Sequence, residues 1–142
     1  LIVVTGNNAQ LREKVERAAP TLANRVCTLG YVNNVHQLMA ASDIMVSKAG
    51  GLSCAEAMAS GLPLFILDPL PGQEERNSQF LTSIGAAVPV SGVQDLEEKV
   101  SLFLSQPHRL KEMSRAAAGA GRPDAARSSV KAINGMLTKN IP

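Results

Sequence analysis

The chain has 142 residues, 45% of them hydrophobic and 18% charged, a composition that supplies a packed core and excludes an intrinsically disordered segment. A net charge of +2 and an aromatic content of 3%, with one Tyr and no Trp, leave little for a nucleic-acid surface, so no nucleic acid is expected among the partners. No apolar run approaches the roughly 20 residues of a bilayer span, and the two cysteines are too few for a disulfide framework or a four-ligand zinc site.

The length fits one domain over residues 1–142. It opens in Leu1-Ile2-Val3-Val4 without Met, which reads as the middle of a longer protein. Leu1–Thr5 is a β-rich run ended by the turn cluster Gly6-Asn7-Asn8. Gln10–Ala19 is helical, with Leu11, Val15 and Ala18 on one face and Pro20 beyond its end. Arg25–Leu29 is the second strand, closed by Gly30, and Asn34 caps a helix to about Ala41. Asp43–Ser47 is the third strand, Leu52–Ser60 a helix with Gly61 as its C′ residue, and Pro63–Leu67 the fourth strand. A loop with Pro69, Pro71 and Gly72 leads to a helix over Gln73–Ile84, stopped by Gly85. Ala86–Val90 is a fifth strand; helices follow over Val93–Leu104, from Pro107, and from Asp124 to about Thr138. Cys27 and Cys54 both stand in apolar runs and read as buried small hydrophobes, which suits a reducing compartment.

Strands alternating with helices, the strands nearly continuous in apolar residues, predict a doubly wound parallel α/β sheet covered on both faces. Ligands of such sheets gather at the carboxyl ends of the strands. The richest loop there is Lys48-Ala49-Gly50-Gly51-Leu52-Ser53, which leaves a strand and opens a helix. Two glycines let the backbone approach a ligand, and the first helical N–H groups and the helix dipole favour an anion such as phosphate. The same loop also reads as a tight connection with no ligand. Ser53-x-x-Glu56 fits a capping box; it also fits a carboxylate that accepts bonds from both hydroxyls of a ribose. In the next loop, Gln73 and Asn77 share one face of a helix start beside Glu74. Amides and carboxylates together read sugar hydroxyls, and they equally make an ordinary solvated first turn.

Around Gly30-Tyr31-Val32, backbone groups suit the edge of a base, or a plain turn. His36 and His108 have no partner at ligand spacing, and no Ser-His-Asp order is visible. Residues 107–142 carry a balance of +5 against −3 for the remainder, which fits a solvated helix face or an anionic membrane surface.

Taken together the segments resemble the nucleotide-sugar-binding half of the GT-B glycosyltransferases. Most similar are the diacylglycerol glycosyltransferases of family 28, which include bacterial processive glucosyltransferases and plant monogalactosyldiacylglycerol synthase. The peptidoglycan enzyme that adds N-acetylglucosamine to lipid I is a more distant relative. The resemblance is carried by Gly30-Tyr31-Val32, Leu38-Met39-Ala40-Ala41-Ser42-Asp43, Ser47-Lys48-Ala49-Gly50-Gly51-Leu52-Ser53, Ala55-Glu56-Ala57-Met58, Gly61-Leu62-Pro63 and Pro71-Gly72-Gln73-Glu74-x-x-Asn77, in register over about residues 1–105. It implies that Val32 holds uracil through its backbone with Tyr31 beside it. Gly50, Gly51, Leu52 and Ser53 then hold the diphosphate, Glu56 the ribose, and Gln73 and Glu74 the sugar, with Asn77 supporting their loop.

Two departures accompany the resemblance. The first strand of the family's domain would precede Leu1, leaving a gap in a 3-2-1-4-5-6 sheet. The acceptor-binding N-terminal domain is absent with its presumed catalytic base, so no catalytic residue is expected in this chain. The resemblance implies hexose transfer from UDP-glucose or UDP-galactose to a diacylglycerol-type acceptor held by the missing domain, with no cofactor and no metal. It places the protein in the cytoplasm, peripheral on the inner face of the membrane, or at the chloroplast envelope for a plant chain. A transferase to a peptidoglycan lipid intermediate, a UDP-sugar 2-epimerase and a non-catalytic UDP-binding module stay open.

Overall fold

The computed structural model describes residues 1–18 and 25–139. The predicted helix end at Ala19 and its Pro20 stop lie outside the described residues. In chain order the elements are β1 (Ile2–Val4), α1 (Ala9–Ala18), β2 (Cys27–Leu29), α2 (Val35–Ala40), β3 (Met45–Ser47), α3 (Gly51–Ala59), β4 (Leu64–Leu67), α4 (Gln73–Ser83), β5 (Ala87–Val90), α5 (Val93–Ser105), α6 (Pro107–Ala120) and α7 (Ala125–Lys139). The chain divides into two compact units, Leu1–Val35 and His36–Pro142.

In the first unit β1 and β2 pair in parallel, from Ile2 opposite Cys27 to Val4 opposite Leu29. Beyond the ladder, the N–H and Oγ1 of Thr5 both donate to the Leu29 carbonyl, at 2.9 and 3.1 Å. This latches the carboxyl ends of the two strands together. Asn8 then caps α1, its Oδ1 accepting the Leu11 N–H at 2.9 Å. A two-stranded ladder shields its residues poorly. Cys27 is accordingly exposed rather than buried, while Cys54, on a helix of the other unit, is buried as expected.

In the second unit β3, β4 and β5 form a parallel sheet with β4 in the middle. Leu64, Phe65 and Ile66 of β4 are fully buried, which is how a continuous apolar run behaves in a central strand covered on both faces. Phe65, Val90, Phe103 and Met113 form the core cluster. The rings of Phe65 and Phe103 meet edge to face at 5.4 Å and 82°, and the Arg109 guanidinium stands 4.4 Å from the Phe103 ring centre.

Among the described residues all strand pairing is parallel, as predicted for a doubly wound α/β fold. The five strands nevertheless make two ladders, β1-β2 and β3-β4-β5.

The helix ends follow the sequence. Gly61 adopts φ +63° after α3, and the Gly61 and Leu62 N–H groups donate to Met58 and Ala57 carbonyls at 3.0 and 2.9 Å, a Schellman closure. Pro107 is in the first turn of α6. Helix α6 packs on α3, with Ser114 Oγ donating to the Gly61 carbonyl at 2.7 Å. Just past α6, a Cβ on Gly121 would lie 2.5 Å from the Met58 carbonyl oxygen, so only glycine fits there. Helix α7 exposes Val130, Ile133, Met136 and Leu137, spaced as one helical stripe.

Candidate functional site

In the second unit the carboxyl ends of β3 and β4 lead through short loops into α3 and α4. Gly50 is the N-cap of α3, with extended backbone at φ −65° and ψ 140°, and no side chain caps the helix. The first helical bond runs from the Cys54 N–H to the Gly50 carbonyl at 2.9 Å. The amides of Gly51, Leu52 and Ser53 are thus the orphan donors of this helix start, at the positive end of its dipole.

Ser53 is the third residue of the helix, not the residue before it. The capping box read from Ser53 and Glu56 is therefore not made. Glu56 lies one turn further along, exposed, and its carboxylate takes no part in capping α3. The helix begins at Gly51, two residues before Ser53.

Helix α4 is likewise uncapped by any side chain; its N-cap Gly72 has φ +99°, a conformation that favours glycine. Glu74 turns back on its own loop, Oε2 accepting the Leu70 N–H at 2.9 Å. Asn77 reaches across, its Nδ2 donating to the Ala49 carbonyl at 2.9 Å. Gln73 lies over the start of α3: a Cβ on Gly51 would stand 3.2 Å from Gln73 Nε2. Gly51 thus makes room for an amide rather than for an unusual backbone angle. A Cβ on Gly50 would meet nothing within 4 Å.

The fold therefore gathers Gly50, Gly51, Leu52, Ser53, Gln73, Glu74 and Asn77 at two adjoining helix starts, with Glu56 on the same helix α3. Leu52 is 83% exposed at this end. Tyr31 and Val32 follow the carboxyl end of β2 in the first unit; Tyr31 is 74% exposed and Val32 half-buried.

Behind α3, burial pushes the Cys54 thiol above its ordinary range, and the nearby Glu74 carboxylate adds to the rise. That thiol stays protonated and is a packing group. One residue here escaped the sequence reading. Asp68, at the end of the central strand β4, adopts φ +38°, the only non-glycine residue described with positive φ. The only available signal was that Asp tolerates this region better than most residues. Among the described residues no group of three or more His, Cys, Asp or Glu side chains is placed to hold a metal ion.

Amide donors at two uncapped helix starts suit an anion, and the carboxylates and amides around them suit hydroxyl groups. The sequence profile of the glycosyltransferase family 28 C-terminal domain matches residues 1–128. The processive diacylglycerol beta-glucosyltransferase of Bacillus licheniformis is 35% identical over 115 residues, 81% of this chain and 30% of that enzyme. Even where the alignment takes in 99% of this chain, as with the enzyme of the same name from Bacillus cytotoxicus, it covers 37% of the relative. The chain spans about a third of the length of the curated relatives it matches.

Among solved structures, MurG of Acinetobacter baumannii superposes with a TM-score of 0.77 at 22% identity, over 95% of this chain and 41% of MurG. A UDP-N-acetylglucosamine 2-epimerase superposes at 0.65 and 16% identity, over 99% of this chain and 43% of the epimerase. These likenesses establish a Rossmann-like GT-B half-domain, an architecture that a transferase and an epimerase share. The sequence match is what separates them: this chain belongs to the glycosyltransferase family 28 C-terminal domain family.

Proposed function

We propose that the whole protein transfers a hexose from a UDP-sugar, UDP-glucose or UDP-galactose, to a diacylglycerol-type lipid, and that this chain is its donor-binding half. The observation that carries the reading is the pair of side-chain-uncapped helix starts at α3 and α4, held together by Asn77 and Ala49. The diphosphate lies against the amides of Gly51, Leu52 and Ser53, Glu56 takes the ribose hydroxyls, and Gln73 and Glu74 take the sugar, Glu74 with the oxygen not engaged by Leu70. Tyr31 and the Val32 backbone take the uracil.

Transfer breaks the bond between the sugar's anomeric carbon and the diphosphate, and charge grows on the departing UDP. The fixed amides of α3 are aimed at that charge and need no reorganisation as it develops. The acceptor hydroxyl and the base that deprotonates it belong to the acceptor half, so the chain alone binds donor and turns over nothing. The reading requires no cofactor and no metal, and a chelator leaves turnover unchanged. The acceptor brings the protein to a membrane surface as a peripheral enzyme; no helix among the described residues is long and apolar enough to cross one.

The test is incubation of the full-length protein with UDP-glucose or UDP-galactose and diacylglycerol, with resolution of the lipid products. A glycosylated diacylglycerol and free UDP support the reading. Free UDP with no new glycoside points to the epimerase class, whose architecture this chain shares. UDP binding without turnover of any sugar nucleotide points to a binding module.

A further inference from the structure

Strand β5 ends the second ladder. β4 lies on one side of it, and among the described residues no strand pairs with the other. An open edge is a template on which another chain can add a strand. In a parallel ladder successive residues turn their backbone groups to alternate sides. The Leu64 N–H donates to the Ala86 carbonyl at 3.2 Å, so Ala86, Val88 and Val90 serve β4. Ala87 and Pro89 then face outward, and the same alternation carried one residue on puts Ser91 with them.

The outward groups are withdrawn in turn. Pro89 has no N–H to offer, and its carbonyl accepts from Lys99 Nζ at 2.7 Å. The Ser91 N–H donates to Asp95 Oδ2 at 2.8 Å, and Ser91 Oγ donates to the same oxygen at 3.1 Å. Lys99 Nζ donates to Asp95 Oδ2 as well, at 2.7 Å. One carboxylate on α5 thus occupies Ser91 and holds the lysine over Pro89. A strand laid along this edge would find no donor at Pro89, the acceptor there engaged, and the next donor taken.

The run Ala86-Ala87-Val88-Pro89-Val90 carries no charge of its own. Short uncharged segments rich in β-branched residues pair readily with their own kind, and Pro89 and Lys99 are what interrupt this one. An exposed ion pair between residues four apart on a helix adds little stability. The Asp95 and Lys99 side chains are only 24% and 32% exposed, and the lysine reaches a carbonyl ten residues away on the strand. We infer that the Asp95–Lys99 pair, together with Pro89, is an edge guard that keeps β5 from taking up the same strand of a second copy of this chain. The inference does not depend on the donor-binding reading.

The test is sedimentation of the full-length protein over a concentration series, with hydrogen exchange followed at residues 87–91 and melting temperatures measured alongside. Pro89→Thr restores an N–H at an exposed strand position, and Lys99→Met keeps the apolar stem while removing the ammonium. The double variant is expected to self-associate about tenfold more tightly than wild type, the scale of one or two regained backbone hydrogen bonds. Exchange at residues 87–91 should slow as the concentration rises. Lys99→Met alone should associate in the same way at higher concentration. Lys99→Arg combined with Pro89→Thr keeps a cation over the carbonyl and should associate less than the double variant. Folded variants that sediment as wild type does overturn the inference, and so does a double variant that cannot fold beside a Lys99→Met that sediments as wild type. Association without slowed exchange at residues 87–91 overturns it in favour of a contact elsewhere. Equal association of the methionine and arginine combinations overturns it in favour of general destabilisation.

Discussion

The Asn77 amide donates to the Ala49 carbonyl at 2.9 Å, tying the second helix of the site to the loop that opens the first, 28 residues earlier. The bond is part-buried, so its loss leaves a carbonyl unpaired at about 1 kcal/mol. Asn77→Asp is expected to be worse than Asn77→Ala, because a carboxylate would face the carbonyl oxygen. Thermal melts should rank wild type, alanine and aspartate in that order. UDP titrations should follow the same order if the loop must be fixed to receive a diphosphate.

Gly51 and Gln73 make a second pair. Gly51→Ala puts a Cβ 3.2 Å from Gln73 Nε2, tight enough to push the amide aside by a few tenths of an ångström. Residue 51 is helical with no left-handed angle, so alanine should stabilise the helix by about 0.4–1 kcal/mol. Stability is expected to hold or rise while sugar-nucleotide use falls. Gln73→Ala should damage sugar-nucleotide use more than binding of UDP alone; equal losses for both ligands would remove Gln73 from the sugar.

Glu56 separates capping from ligand binding. Its carboxylate caps nothing in α3 and is exposed, so Glu56→Ala should change folding stability by less than about 0.5 kcal/mol. UDP affinity in the full-length protein should fall by about 1.5–3 kcal/mol for each charge-assisted bond to the ribose. Calorimetry that finds UDP affinity intact would take Glu56 out of the site.

Acid should be felt at the start of α5. Asp95 accepts from Lys99 Nζ at 2.7 Å and from the Ser91 N–H at 2.8 Å, and these bonds, Lys99 foremost, hold its carboxyl below the ordinary range. A carboxyl whose folded value is depressed adds stability above its unfolded value, near 3.9, and that stability is lost as pH falls through the folded value. Melting temperatures followed from about pH 5 downward should fall less steeply in Asp95→Asn, which has no carboxylate there to protonate.

The two thiols should differ in reactivity. Cys27 is exposed and Cys54 buried with a raised pKa. Since the thiolate is the nucleophile, brief alkylation of the native protein near pH 8 should label Cys27 and spare Cys54 by peptide mass spectrometry. Labelling of both at one rate would mean that α3 opens readily.

Much of this was legible in the residues. The apolar run through Leu64–Leu67 marks a central strand, and Gly61 and Pro107 mark helix ends by conformational rules that act locally. The site motif placed its helix start within one residue. What stayed hidden depends on groups distant in sequence or on neighbouring strands. Cys27 sits in an apolar run like Cys54, yet its ladder has only two strands and leaves it in water. Ser53 and Glu56 have capping spacing, yet the helix already begins at Gly51, so Ser53 lies inside it. Gly121 stands just past the end of α6, and what requires glycine there is the Met58 carbonyl, 2.5 Å from where its Cβ would be. Asp68 offers only the tolerance of Asp for positive φ.

The bare stripe of α7 has a practical consequence. Val130, Ile133, Met136 and Leu137 are each more than half exposed along one side of a fifteen-residue helix, and water penalises such a surface until something shields it. Handled as an isolated piece at rising concentration, the polypeptide should become sticky through its tail, with sedimentation growing faster than the dose. Cutting it back to Arg122 should restore ideal behaviour without disturbing the packing around Phe65.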